Sequence, residues 1–278
     1  MACTLIALYY VVEGYPIVVA VNRDEYRRRE GTEPQLIDQF EENGVMVHVK
    51  GRIVAPRDAK KEGMDLKKRG TWIGLNAETG LVVGLTNRVL DISGEGYRSR
   101  GYLVLDALTE DNADMALQHG MTDVSVNRYN NFNLFCADAE SAGGVYYENG
   151  SLDSEKLEKG IYILTDGRIG SFKEWRDRQN KKSYDAKTDN MFILLEESKI
   201  PTGSLHIDEV IKKLMEICSY HEGYQFESGK SICIHSDPGT LSSTIIAVGE
   251  QPKSSIVLHV NGNPCGKKEY GDYSSLAR

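Results

Sequence analysis

The sequence predicts an α+β fold in which two antiparallel sheets are sandwiched between helical layers. Strands are expected at both ends of the chain and helices between them, joined by hairpins rather than by βαβ alternation. Continuous apolar runs at residues 17–21 and 245–248 are typical of strands that are buried on both faces. Two sheets in contact, each covered by helices on its outer face, would bury such strands in this way.

The first third of the chain favours antiparallel sheet. Residues 4–12 are β-branched and aromatic, Glu13-Gly14-Tyr15-Pro16 supplies turn residues, and residues 17–21 resume an apolar run. These segments predict a hairpin. Further strands are predicted at residues 45–49, 53–55, 72–75 and 81–85.

Helical patterns begin in the middle of the chain. Residues 98–109 and 111–118 are rich in Ala and Leu, and Gly120 is a predicted stop signal. Residues 207–218 carry one apolar stripe with the 3.6-residue period of an amphipathic helix. The other predicted elements of this part are strands, at residues 133–137, 144–147, 161–165, 231–234, 244–248 and 256–260.

Length and composition predict one globular domain over residues 1–278. The chain has 40% hydrophobic residues and a formal net charge of −8, so nucleic acid and anionic membrane surfaces are disfavoured as partners. No apolar stretch approaches the roughly 20 residues that span a bilayer, and the start lacks the basic region of a signal peptide. We expect a cytoplasmic protein that acts on or binds a small molecule.

The five cysteines contain no Cys-x-x-Cys pair and are interpreted as reduced thiols. The six histidines show no metal-ligand spacing, and His235 is interpreted as a surface residue at the end of a strand, so neither a metal nor a cofactor is expected. Cys3 has two interpretations. It is either a small buried residue at the start of a strand, or a nucleophile whose own α-amino group, once exposed by processing, acts as the base.

A polar cluster, Asn22-Arg23-Asp24-Glu25, follows the second strand of the predicted hairpin. The hairpin would return this cluster close to Cys3. Strand alternation sends Asn22 and Asp24 to one side and Arg23 and Glu25 to the other, so one pair could face a site while the other anchors the loop. The alternative is a solvated, salt-bridging turn. The adjoining Arg27-Arg28-Arg29 is interpreted as a solvated basic run rather than as an anion site.

A set of motifs in this order resembles the NRDE family, the group named for the second transport-and-Golgi-organisation protein. The resemblance covers nearly the whole chain, from residue 3 to about residue 250, and rests on the following segments: Cys3-Thr4-Leu5-Ile6-Ala7, Asn22-Arg23-Asp24-Glu25, Arg57-Asp58, Gly70-Thr71-Trp72-Ile73-Gly74, Leu85-Thr86-Asn87, Ser99-Arg100-Gly101, Tyr129-Asn130-Asn131-Phe132-Asn133-Leu134 and Ser243-Thr244-Ile245-Ile246.

The resemblance implies a four-layer αββα sandwich similar to the N-terminal-nucleophile hydrolases. In related cysteine amidases of that fold, which resemble bile-salt and penicillin V acylases, an N-terminal Cys attacks an amide. By this resemblance Cys3 is the nucleophile and Arg23 and Asp24 are its charged neighbours. Asn87 and Asn133, placed at strand ends, are candidate oxyanion donors.

Further binding residues are expected at Asn22, Glu25 and Trp72. Trp72 either packs over a pocket or is a buried aromatic between close-packed glycines. One departure from the family pattern concerns Ala2, because removal of Met1 alone would leave Ala2, rather than Cys3, at the terminus.

Two functions are therefore expected. The first is a cysteine amidohydrolase that cleaves a small amide through Cys3. The second is a non-catalytic carrier on the same fold, because the resemblance extends to proteins linked to haem trafficking and to lipid or acyl homeostasis.

Overall fold

The computed structural model describes residues 3–29, 31–58, 63–88, 96–177, 184–222, 229–266 and 269–278. The amino-terminal strands within these ranges are β1 (Thr4–Val12), β2 (Tyr15–Glu25), β3 (Gln35–Glu42), β4 (Val45–Ala55), β5 (Ile73–Asn76), β6 (Leu81–Asn87) and β7 (Phe132–Ala137). The later strands are β8 (Ala142–Glu148), β9 (Ser151–Lys156), β10 (Gly160–Leu164), β11 (Gly170–Ser171), β12 (Gly239–Val248), β13 (Ile256–Asn261) and β14 (Gly271–Asp272). The α-helices are α1 (Arg100–Ala107), α2 (Ala113–Asp123), α3 (Phe172–Asp177), α4 (Ala186–Ser198) and α5 (Ile207–Cys218).

The strands form two antiparallel sheets of seven strands each. The first sheet has the order β11-β10-β1-β2-β12-β13-β14, so the β1–β2 hairpin lies at its centre. The second sheet has the order β3-β4-β5-β6-β7-β8-β9, in which each strand pairs with the next one along the chain.

Three hydrophobic clusters define four layers. The central cluster, which includes Leu5, Val19 and Phe135, joins the facing sides of the two sheets. A second cluster packs α3, α4 and α5 on the outer face of the first sheet, and a third packs α1 and α2 on the outer face of the second. The predicted αββα sandwich is confirmed. Residues 17–21 and 245–248 are buried on both faces, as expected.

Local patterns predicted some elements closely and others poorly. β1 and α5 have the predicted bounds, whereas the strands predicted at 45–49 and 53–55 are one continuous strand, β4. The strand predicted at 231–234 is wrong, because the N–H groups of Ile232 and Cys233 both bond to the Tyr220 carbonyl instead of to a ladder. Gly120 does not stop α2, which continues to Asp123.

Candidate functional site

The open end of the central hairpin brings Cys3 beside the polar cluster. Thr4 pairs with Asn22 across the hairpin, so the chain enters β1 next to the point where β2 leaves its apolar run. Strand β12 covers the other edge of β2, with Ser242 opposite Arg23 and Thr240 opposite Asp24. The predicted return of the cluster to Cys3 is therefore seen in the structure.

Side-chain alternation divides the cluster as the sequence indicated. Arg23 and Glu25 line a cavity together with Cys3. Asn22 points the other way, and its amide nitrogen donates to the carbonyls of Cys218 and Ile232 at 2.8 and 3.2 Å. The solvated-turn alternative is wrong, because the side chains of residues 22–24 are at most 3% exposed.

Asp24 also faces the helical layer rather than the cavity. Its carboxylate accepts from the Thr240 hydroxyl at 2.6 Å and from Lys187 Nζ at 3.0 Å. Arg23 and Glu25 therefore face the cavity, whereas Asn22 and Asp24 anchor the strand on its other side. Asp24 contacts Cys3 through its backbone N–H, which donates a hydrogen bond to the thiol.

The cavity has a volume of about 420 Å³, within the range of small-molecule sites. Four of the predicted site residues line it: Cys3, Arg23, Glu25 and Trp72. Asn87, at the end of β6, is a fifth. The remaining lining residues are Arg29, Asp58, Thr71, Leu85, Tyr97, Arg98, Ser99, Arg100, Gly101 and Asn130.

The Cys3 thiol is protonated at neutral pH. Burial raises its pKa to about 11, with a further upward contribution from the Asp24 carboxylate. The Asp24 N–H and the Arg23 guanidinium act in the opposite direction and are outweighed. Among the described residues that line the cavity, none is a histidine, so a base for this thiol must come from another group.

A network of alternating charges forms one wall of the cavity. Asp58 forms ion pairs with both Arg23 and Arg29, and Arg29 also forms an ion pair with Glu25 at 2.6 Å. The Arg23 guanidinium lies 4.8 Å from the centre of the Trp72 ring, in a cation–π arrangement. Arg23 is thereby fixed beside Cys3, and Arg29, which was interpreted as part of a solvated run, belongs to the wall instead.

Two glycines bring Trp72 and the start of α1 together. A Cβ on Gly70 would lie 2.7 Å from the Gly101 backbone, and the Thr71 N–H donates to the Gly101 carbonyl at 3.2 Å. The close-packing interpretation of the glycine motif therefore holds, and Trp72 lines the cavity as well. The two alternatives for Trp72 are compatible.

The start of α1 presents hydrogen-bond donors to the cavity. Trp72 Nε1 is buried, with no partner among the residues that the structure describes. The Ser99 side chain makes no capping bond at the α1 N-terminus, and Ser99, Arg100 and Gly101 all line the cavity. Because the first N–H groups of a helix lack intrahelical acceptors and carry partial positive charge, this end suits an oxygen atom of a ligand.

Asn133 has a different environment from Asn87. Its amide nitrogen lies within hydrogen-bond distance of Thr86 Oγ1 and the carbonyls of Thr165 and Gly167, and its oxygen accepts from Arg88 at 3.1 Å. Asn133 does not line the cavity. Its contacts join β7 to the segment that follows β10.

Several lining residues had no assigned role in the sequence analysis, notably Asp58, Ser99 and Arg100. Each lies in a motif on which the family resemblance rests, and that motif is the sequence feature that could have identified it as a site residue. Their positions depend on contacts between distant segments, such as the pair between Arg23 and Asp58. Met1 and Ala2, on which processing of the chain start depends, lie outside the described residues.

The fold and the cavity define an αββα protein with a buried cysteine at the start of its central hairpin. The family model for Transport and Golgi organisation 2 matches residues 1–259. The chain belongs to this family. A search of curated proteins gave no match. In the part of the chain that the structure describes, no helix has the length and apolar character needed to cross a membrane.

Proposed function

We propose that this protein is a cysteine amidohydrolase of the N-terminal-nucleophile type that cleaves a small amide through Cys3. The observation that carries the proposal is the position of the Cys3 thiol, at the wall of a cavity of about 420 Å³ that the start of α1 also lines. A nucleophile and the N–H donors of a helix start in one cavity are two parts of an acyl-transfer site.

The base in this proposal is the α-amino group of Cys3 itself, after removal of the residues that precede it. An α-amino group titrates near 8 and can accept the thiol proton. The thiolate attacks the amide carbon, the C–N bond breaks, and the amine leaves with the proton that the α-amino group held. Water then hydrolyses the thioester and restores the thiol.

Donors for the oxyanion come from Asn87 and the start of α1 in this scheme. Both line the cavity with Cys3, whereas the Asn133 amide has its hydrogen bonds elsewhere and is left out of the proposed pair. Preorganised donors of this kind stabilise the charge that develops on the carbonyl oxygen. Arg23, held by Asp58 and Trp72, contributes positive charge beside the sulfur.

The lining favours an acidic substrate. Arg98, one of its four arginines, is paired with Glu42, Asp106 and Asp123. The other three arginines face two lining carboxylates, which gives a surplus of one positive charge. The start of α1 adds partial positive charge. An amide whose acyl or amine part carries a carboxylate would complement this surface.

The test compares three purified proteins: the full chain, a form that lacks Ala2 so that removal of Met1 leaves Cys3 first, and the same shortened form with Cys3→Ser. Each is incubated with an amide-mimicking electrophile that bears a carboxylate, and the adduct is located by peptide mapping. Turnover is then measured on a panel of small acidic amides.

We expect an adduct at Cys3 and amide turnover in the shortened form. The Cys3→Ser protein should show no adduct at position 3 and no turnover. The full chain should react far more slowly, because its Cys3 lacks an α-amino base. An inert Cys3 in the shortened form, with native circular dichroism, would exclude the hydrolase.

A carrier function is the second candidate, and the protonated state of Cys3 favours it. A buried thiol with a pKa near 11 is a poor nucleophile at neutral pH without a base. Titration with haem and with an acyl-CoA, monitored by absorbance and tryptophan fluorescence, tests this function. Saturable binding without turnover would support it, and the absence of any change at micromolar ligand would count against it. The many charges that line the cavity disfavour an acyl chain.

A further inference from the structure

A second cluster of reactive side chains lies outside the cavity, where three segments of the chain meet. His221 follows α5, Cys233 and His235 precede β12, and Cys265 follows β13. Cys265 Sγ lies 3.3 Å from Cys233 Sγ and 3.2 Å from His235 Nε2, and Cys233 Sγ lies 3.9 Å from His235 Nε2. The rings of His221 and His235 are 4.8 Å apart, centre to centre.

These separations are close to those of a tetrahedral metal centre. With metal–sulfur bonds near 2.3 Å and metal–nitrogen bonds near 2.0–2.1 Å, tetrahedral ligand atoms are about 3.4–3.8 Å apart. The ligand atoms of His221, His235 and Cys265 all lie within 4.8 Å of one another, and Cys233 adds a second sulfur. Small side-chain rotations would therefore close four ligands around one ion.

We propose that His221, Cys233, His235 and Cys265 bind one zinc-type divalent cation. Two thiolates and two neutral imidazoles are an established ligand set for tetrahedral Zn²⁺, and the two negative charges balance the ion. The sequence did not predict this site because its ligands are spaced irregularly and come from three segments.

The surrounding backbone holds the ligands in place. Asn263 donates to the carbonyls of Ile234 and Thr240 at 3.2 and 3.0 Å, and its amide nitrogen lies 3.9 Å from Cys233 Sγ. The Tyr220 carbonyl accepts from the N–H groups of Ile232 and Cys233. Such contacts orient ligands in the way that outer-shell residues do in known metal sites.

The role of the ion is structural. It would join the end of α5 to the loop that follows β13, next to β12. None of the four ligands lines the cavity, so metal binding and the proposed hydrolase can be tested separately.

The test is a titration of the reduced, chelator-treated full chain with Co²⁺. We expect thiolate-to-cobalt charge-transfer absorption and tetrahedral d–d bands that saturate at one equivalent and disappear when Zn²⁺ is added. Asn263→Ala should weaken binding by about 10- to 100-fold, and Cys233→Ser or Cys265→Ser by more. His206→Ala, which removes an exposed histidine, and Cys3→Ser should both bind as the unchanged chain does.

A measurement on the unchanged chain covers the case in which a ligand variant fails to fold. One equivalent of Zn²⁺ should protect Cys265 from alkylation and leave the reactivity of Cys3 unaltered. The absence of cobalt–thiolate absorption, its persistence in the Cys233→Ser/Cys265→Ser double variant, or a Cys233–Cys265 disulfide with no metal uptake after reduction would overturn the proposal.

Discussion

Asp58 is the residue on which the charged wall of the cavity depends. One of its carboxylate oxygens forms an ion pair with Arg23 and the other with Arg29. The Arg23 side chain is only 3% exposed. A buried charge that loses its partner keeps the cost of desolvation without the compensating attraction. The position of Arg23 beside Cys3 is therefore coupled to Asp58.

We expect Asp58→Asn to lower the free energy of unfolding by about 3 kcal/mol, because Arg23 stays buried without its carboxylate. Urea denaturation measures the change. The matched control is Glu216→Gln, which removes the partner of Lys213 in an exposed pair and should cost less than about 1 kcal/mol. Equal losses in the two variants would show that the Asp58 network adds no more than an exposed pair.

For single residues, the sequence predicted their place in the fold better than the contacts of their side chains. The hairpin placed Cys3 near Arg23 because strand pairing is a local consequence of the turn. The sequence could not assign Arg29 or Asp58 to the same wall of the cavity, because an ion pair between distant positions leaves no periodic pattern in the sequence. It also gave no indication that the Asn133 amide would be occupied by the carbonyls of Thr165 and Gly167.

Among the elements, α1 is positioned by contact between two glycine backbones. Gly101, in the first turn of α1, lies against Gly70 so closely that neither position has space for a Cβ. The contact sets the distance between the helix start and Trp72. It explains why both motifs contain a glycine at these positions.

We expect Gly70→Ala to destabilise the protein by about 1–3 kcal/mol, because the added methyl group meets rigid backbone rather than a side chain that can move. Thermal unfolding measures the loss. Gly167→Ala is the control, since nothing lies within 4 Å of its added Cβ. If the two variants melt at the same temperature, the Gly70–Gly101 contact is not tight in solution.

Elements with a clear period of apolar residues were predicted well, and elements without such a period were missed. The apolar stripe of α5 predicted both of its ends. Strand β3 has few buried side chains and so little alternation, and β9 is almost fully exposed at the edge of its sheet. The run 231–234 is apolar like a strand, yet its backbone bonds to the end of α5, a choice that only tertiary contacts decide.

For the molecule as a whole, one buried histidine links stability to acid pH. His259 accepts from the Thr244 hydroxyl through Nδ1 and donates to Asn261 through Nε2, so the neutral imidazole satisfies both partners. Burial lowers its pKa to about 4. The unfolded chain takes up a proton near pH 6.5, whereas the folded one does not until near pH 4.

Because the folded-state pKa is lowered, this contribution is complete above pH 6.5 and is lost as the pH falls through 4. The shift corresponds to about 3 kcal/mol. We expect His259→Gln to reduce the difference in unfolding free energy between pH 7 and pH 4.5, measured in urea. The exposed His206 provides the comparison, and His206→Ala should leave that difference unchanged. An unchanged difference in His259→Gln would contradict the assignment.

The layered architecture was predictable from the sequence, but the strand order was not. Apolar runs indicated strands that are buried on both faces, and the position of these runs at both ends of the chain indicated stacked sheets. Which strand lies beside which depends on register between distant segments. The pairing of β2 with β12 is such a case.

That pairing also has a consequence for the order of events during synthesis. The β1–β2 hairpin emerges first, but its neighbours β10 and β12 leave the ribosome only after most of the chain has been made. Until then Cys3 stands at the end of a hairpin that has neither of its neighbouring strands. In the complete fold its thiol is buried. The centre of the first sheet is therefore made first and completed last.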